Sequence, residues 1–422
     1  MARLFADGVG AQTDQDATWL ARRRSDECAE EQAPNSRTQQ THAASAPFSM
    51  PPRQRFCNIE ERIDLVDWSR AEDHVEAWRD LASRASVTNA FLEPSYALTA
   101  IRHTSASARP SFLLVWSDAL KTRLVGLAPI CKSSSSSDPI ATCWRHAESR
   151  FGGILIDSQE GAETLGGIFT WLAAKKPEVS ALLIASVQRD EVVSAVLGSH
   201  QTGRLGLRLV AGSESSHKLF IMDAFKAATT LRTDDLLIDP SSLARIGSDD
   251  DIRGALEDFL ILDATEWSGS GSPLVDVTGF ATFARAMTRQ MAREGKCKIE
   301  RLVLEDHSIA SAILLKSGNK TFVWKLAWAK ATALQPSIRN FIIDIAKAEA
   351  VDGRCTIFCC DIPERLAASS VLRSIVMADV IVAPPGRDGK QVVSALRRER
   401  RRRFAREIGR HLVAIAGGLR RN

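Results

Sequence analysis

Between Gly254 and Ala383 the apolar residues switch from helical to alternating spacing and back, and the order of those switches leaves few ways to fold. LEDFLILDATEW (256–267) and TGFATFARAMTRQMAREG (278–295) repeat at helical spacing. Three strands then follow with no helix between them: KIERLVLE, SIASAILLKSG and KTFVWKLAW, separated by turns at Asp306–His307 and Gly318–Asn319. From Ser337 to Ala350 the spacing is helical again. Asp352–Gly353 breaks it, CTIFCCD is a short apolar run, and MADVIVA closes the pattern. A meander followed by a strand–helix–strand crossover predicts a mixed sheet with helices against it and a splayed centre that can hold a ligand.

The preceding half repeats this logic. RAEDHVEAWRDLASRA is amphipathic, with Val75, Trp78, Leu81 and Ala85 on one stripe, and Pro94 opens a second helix in EPSYALTAI. SFLLVWS and RLVGLAPICK read as strands, and Gly126 with Pro129 argues for a bend or an edge position in the second. After the five-serine loop Ser133–Ser137 come PIATCW, a strand ILID opened by Phe151-Gly152-Gly153, and helix GGIFTWLAAKK. Strand SALLIAS, helix EVVSAVLGS and a strand pair near LRLV and HKLFIM complete the half. The expected organisation is an α+β chain with a disordered tail over 1–55, a first domain over 56–233, a linker over 234–251 and a second domain over 252–385. A basic amphipathic segment over 386–422 follows.

FLILDATEW, FVWKLAW, the QPS that opens the next helix and the late SIVMADVIVA resemble the CelD/BcsL family of GNAT-type acetyltransferases, which are linked to cellulose and exopolysaccharide synthesis. AWRDLASRASVTNAFLEPSYA, LVGLAPI and FGGILID extend the resemblance weakly upstream, so that it covers roughly residues 56–385. Its most specific marks are Trp324-Lys325, Trp328 and the spacing of Phe259 to Trp267. The resemblance implies two tandem GNAT-like halves, acetyl-CoA or another acyl-CoA as donor, and a small-molecule or saccharide acceptor.

Amide formation from a thioester needs a base for the incoming amine, a polarised carbonyl and a grip on the cofactor's phosphates. The fold family implies a strand backbone N–H for the carbonyl, here near Trp328. Lys325 is a candidate phosphate or carboxylate holder, and strand alternation sets it opposite Trp324, which then shares a face with Trp328. Trp267, Trp324 and Trp328 offer ring platforms for a substrate, or fill the core. Pro336 and Ser337 open the helix whose N-terminus would face a pyrophosphate. Asp361, at the end of a strand, and Asp263 and Glu266, just before Trp267, are candidate bases; Asp361 reads equally well as a helix cap.

Three departures from the family pattern carry a second reading. Trp267 runs into Ser268-Gly269-Ser270-Gly271-Ser272 where the family has basic residues, Trp328-Ala329 replaces Tyr-Asp, and Pro336-Ser337-Ile338 lacks the family's glycine. The lost basic pair and the lost glycine, which would let a pyrophosphate approach helix N–H groups, carry the alternative of a catalytically degenerate scaffold or binding subunit.

Composition excludes several other classes. The chain has 422 residues, 45% hydrophobic and 25% charged, with no run long enough to span a membrane and no apolar signal core in MARLFADGVGAQTDQD. A cytoplasmic protein is expected. The eight cysteines form no CxxC pair and the eight histidines are scattered, so neither a metal site nor a disulfide framework is indicated. The net charge of +4 hides an asymmetry, since 387–422 holds twelve basic and three acidic residues. With Val392, Leu396, Phe404, Ile408 and Leu412 at helical spacing, that segment either packs on its own domain or lies on an anionic inner-membrane surface. No aromatic platform accompanies its arginines, so no nucleic acid is expected.

Overall fold

In this computed structural model the structure describes residues 59–131, 140–174, 181–188, 207–209, 219–222, 242–248, 251–266, 273–349, 355–360, 362, 372–375 and 377–382. All of them belong to one compact unit, Phe56–Asn422. The tail over 1–55, the five-serine loop, helix EVVSAVLGS, Trp267 with the Ser268–Ser272 loop, Asp361 and the basic segment 387–422 lie outside the described residues. No helix among the described residues is long and apolar enough to cross a membrane.

The architecture is α+β, two mixed sheets flanked by helices. The first half runs β1 (Ile63–Asp67), α1 (Val75–Arg84), α2 (Pro94–Arg102), β2 (Ser111–Trp116), β3 (Leu124–Cys131), β4 (Ile140–Cys143) and β5 (Leu155–Ile156). It continues through α3 (Gly161–Ala174), β6 (Ala181–Gln188), β7 (Leu207–Leu209) and β8 (Leu219–Met222). The second half repeats the order: β9 (Leu243–Gly247), α4 (Ile252–Thr265), α5 (Phe280–Arg293), β10 (Cys297–Leu304), β11 (His307–Ser317), β12 (Lys320–Trp328), α6 (Gln335–Glu349), β13 (Thr356–Cys359), β14 (Leu372–Ile375) and β15 (Met377–Val382).

The halves exchange their last strands. The first sheet is ordered β1-β2-β3-β4-β6-β15-β7, with β5 on β3, and the second β14-β8-β13-β12-β11-β10-β9. Thus β8 lies antiparallel between β13 and β14, and β15 lies antiparallel between β6 and β7. LRLV and HKLFIM, expected as a pair, stand in different sheets. A short apolar run shows that a strand is buried, not which neighbours bury it.

Other local expectations also shift. Leu243–Gly247, read within the linker, is an edge strand on β10, mostly exposed and so without the apolar alternation that would have marked it. The turn between β10 and β11 is Glu305-Asp306, both at positive φ, the left-handed pair that a two-residue hairpin requires. β3 is an interior strand, paired with β2, β4 and β5. Gly126 is there for close approach, because a Cβ would lie 2.3 Å from Thr164 Cγ2 of α3. Helical spacing was the better guide: α1 buries Trp78 and Leu81, and α5 buries Phe280, Phe283, Ala284, Met287 and Met291.

α2 packs on α5 across the joint between the halves. Tyr96 meets Phe283 edge-on at 5.6 Å between ring centres. Beside it Glu93, 2% exposed at the start of α2, accepts hydrogen bonds from Lys296 Nζ at 2.8 Å and Ser317 Oγ at 2.6 Å. Ser95 Oγ donates to Glu294 Oε2 at 3.1 Å.

Candidate active site

The site begins where the second sheet opens. β12 and β13 run parallel from Lys320 and Thr356 to Val323 and Cys359; Cys360 N donates to Val323 O at 3.0 Å, and the strands part. On its other edge β12 bulges there: Val323 pairs with Leu314 and Lys325 with Ile313, leaving Trp324 as the extra residue. A bulge re-aims side chains by breaking the two-residue alternation. Phe322, Trp324 and Ala327 therefore enter the core between the halves, whereas Val323, Leu326 and Trp328 pack with Ile338, Phe341 and Ile342 of α6.

That phase change corrects two expectations. Trp324 and Trp328 lie on different faces, and Lys325 does not point away from Trp324. Both reach one residue of the first half: Trp324 Nε1 donates to Glu148 O at 2.8 Å, and Lys325 Nζ donates to Glu148 Oε2 at 2.9 Å. The Lys325 side chain is 7% exposed and that of Glu148 is 21% exposed. The ammonium lies 5.8 Å from the Phe280 ring and 5.9 Å from the Trp324 ring, so aromatic faces replace part of its lost hydration. Glu148 comes from the excursion of chain between β4 and β5.

His146, on the same excursion, packs 4.6 Å from Phe283 between ring centres and meets the Tyr96 hydroxyl through Nδ1 at 3.2 Å. Burial pushes its pKa down to about 4; Glu148 pulls it back up in part, while Lys325, His103 and Arg145 reinforce the fall. Burial, aided by Glu148, holds the Tyr96 phenol well above its usual range. At neutral pH the ring is thus uncharged and the phenol keeps its proton. Glu148 is the carboxyl group beside this pair that reaches solvent, its side chain being 21% exposed.

The other sequence candidates divide. Trp328 stands half-buried at the far end of the splayed edge. Pro336 and Ser337 occupy the first turn of α6, where Ser337 is buried and its Oγ has no partner among the described residues. Glu266 follows α4 and accepts from Lys330 N at 3.2 Å, which fastens the connection leaving β12. Asp263 accepts from Leu274 N at 2.6 Å, a structural tie. His146 and Glu148 lie outside every sequence motif named above, and Tyr96 lies in one, EPSYALTAI, that marks only a helix. The one signal for them was that Tyr96 is the only tyrosine in the chain.

His146 makes stability pH-dependent. Unfolded histidine takes its proton near 6.5 and this one only near 4, so the unfolded state binds more protons between those values. Stability is full above about pH 6.5 and declines as pH falls toward 4. Denaturation in urea across that window is expected to show a shallower decline for His146→Gln; an unchanged slope would remove His146 as its source.

No protein-family model matches the chain, and no curated protein matches it. Among solved structures it is similar to FemX, with 12% identity, 73% of this chain and 96% of that chain covered, and a TM-score of 0.49. It is also similar to the C-terminal domain (DUF2156) of a putative lysylphosphatidylglycerol synthetase from Agrobacterium fabrum, with 12% identity, 78% and 95% covered, and a TM-score of 0.42. A tandem GNAT protein from the clavulanic acid biosynthesis pathway gives 12% identity, 77% and 100% covered, and a TM-score of 0.36. At such distances the chemistry has to be read from this chain's own residues.

Proposed function

We propose that the protein is an acyltransferase, with an acyl-CoA as donor and an amine or hydroxyl as acceptor, working at the parting of β12 and β13. The observation that carries this reading is the coincidence of that parting with a bulge that brings Lys325 to Glu148. The edge of β12 beyond Val323 supplies backbone N–H groups toward the carbonyl under attack, where preorganised donors act most strongly. Glu148 takes the proton of the attacking amine or hydroxyl and returns it to the departing sulfur, so that charge balances over the turnover. Lys325 steadies the oxyanion and orients Glu148. Ser337 and the first turn of α6 hold donor phosphate, where unpaired N–H groups and the helix dipole favour an anion.

The CelD/BcsL-type assignment, a saccharide acceptor and a place beside the inner membrane through 387–422 belong to the same proposal, supported by sequence alone. One observation favours the scaffold reading: the Glu148 excursion lies against the opening, and its carboxylate neutralises Lys325. Ligand binding separates the two. At 100 times its dissociation constant, an acyl-CoA bound only by the folded state stabilises by about 2.7 kcal/mol. Thermal unfolding unmoved by acetyl-CoA, propionyl-CoA and longer acyl-CoA at millimolar concentration would leave the scaffold reading.

A further inference from the structure

The Glu148 carboxylate rides on an excursion that leaves the sheet at the end of β4 and rejoins it at β5, with no helix or strand ladder of its own to set its shape. Bonds to its main chain fasten it to the rest of the protein. Trp144 N donates to Pro129 O of β3 at 2.8 Å, and Trp324 Nε1 donates to Glu148 O at 2.8 Å. Asn89 Nδ2 donates to Gly152 O at 3.1 Å, and Gly152 N donates to Ser186 O at 2.9 Å. These contacts anchor the excursion near its ends and at the Glu148 carbonyl. They leave the turn that aims the Glu148 side chain to bonds of its own.

Ser149 makes those bonds. It is 1% exposed, and its N–H, carbonyl and hydroxyl are all engaged within the excursion. Its N–H donates to His146 O at 3.0 Å, closing a four-residue turn with Glu148 in the third position. Its carbonyl accepts from Arg145 Nη1, and its hydroxyl donates to Phe151 O at 2.5 Å while accepting from Phe151 N at 3.2 Å. A serine hydroxyl bonded to nearby main chain gives a segment without a ladder a fixed local shape. Among the described residues no bond of Ser149 reaches beyond the excursion, so it shapes the turn and does not join it to the fold. Arg145, exposed at the start of the turn, closes the clasp from outside.

We propose, on the reading of Glu148 as the base, that Arg145 and Ser149 are positioning residues, a clasp that holds the Glu148 carboxylate against Lys325 in the geometry that proton transfer needs. The test uses the full chain and two measurements. The first needs no turnover: pulse labelling with acetic anhydride, mapped by mass spectrometry, follows Lys325 against the exposed Lys330. Lys325 is expected to label slowly in wild type, where Glu148 and the aromatic rings cover it, and faster in Ser149→Ala and Arg145→Met. The second is CoA release from acetyl-CoA with hydroxylamine as acceptor. Ser149→Ala should lower kcat by about 10- to 100-fold, the cost of a group displaced by about 1 Å, and leave the KM for acetyl-CoA near wild type. Joined to Glu148→Gln it should cost nothing more, because a residue that acts through another has no effect once that one is gone; a merely structural residue would slow the double variant further. If Ser149→Ala does not fold, Arg145→Met decides. Wild-type labelling of Lys325 in both variants overturns the clasp whatever the acceptor, and so does a double variant slower than Glu148→Gln by the full factor of Ser149→Ala. An impaired Glu148→Gln beside unimpaired Ser149→Ala and Arg145→Met overturns the clasp alone, whereas wild-type turnover by Glu148→Gln removes the base and the clasp with it.

Discussion

Glu148→Gln is expected to lower the rate of CoA release in the presence of acceptor by about 10²- to 10⁴-fold, the range over which a positioned general base acts. The substitution keeps the shape of the side chain. It also keeps the bond from Trp324 Nε1, which is made to the main-chain oxygen. What it removes is the negative charge facing Lys325. Its stability cost should be modest, about 1–3 kcal/mol, because the side chain is 21% exposed and the carboxamide oxygen still accepts a bond. Lys325→Met makes the complementary change, sparing the base and deleting the cation, and should reduce turnover less. Wild-type turnover by Glu148→Gln would remove Glu148 as the base, and wild-type binding and turnover by Lys325→Met would take Lys325 out of the site.

Glu93→Ala should be the most damaging substitution at the joint, lowering stability by about 2–4 kcal/mol. Breaking a sealed buried pair costs about 3–5 kcal/mol. The lower figure reflects Lys296, whose side chain is 24% exposed and also lies 3.4 Å from Glu294. Ser317, by contrast, is 2% exposed and loses the acceptor of its 2.6 Å hydrogen bond. Glu93→Gln should cost about half as much, because a neutral acceptor serves Ser317 but not the ammonium. The urea midpoint measures both, and a midpoint for Glu93→Ala within error of wild type would mean that the Glu93 contacts add nothing to the joint between the halves.

Helices and the meander were legible because each carries its own period: the stripe of α5 and the turn between β11 and β12 at Gly318–Asn319 are written in adjacent residues. The candidate site was half legible. Lys325 and Trp324 stand out as polar and aromatic residues in an apolar strand, but the bulge that brings them together is one unpaired residue, and no local pattern announces it. Glu148 was invisible because its role depends on an excursion of the first half reaching a strand some 177 positions later. The exchanged strands were hidden for the same reason. Their partners are chosen by tertiary packing, and an apolar run such as LFIM or MADVIVA fits either sheet.

The exchange of β8 and β15 has a consequence for how the molecule is made. A ribosome adds roughly 5–20 residues per second. When β7 emerges, the slot beside β6 waits for β15, Met377–Val382, which is synthesised roughly 10–30 seconds later. During that interval the first sheet presents the open edge of β6, Leu182, Leu183 and Ile184 included, to whatever else is in reach. Neither sheet is complete until β14 and β15 have been translated, so two halves that look like independent modules reach the native state together.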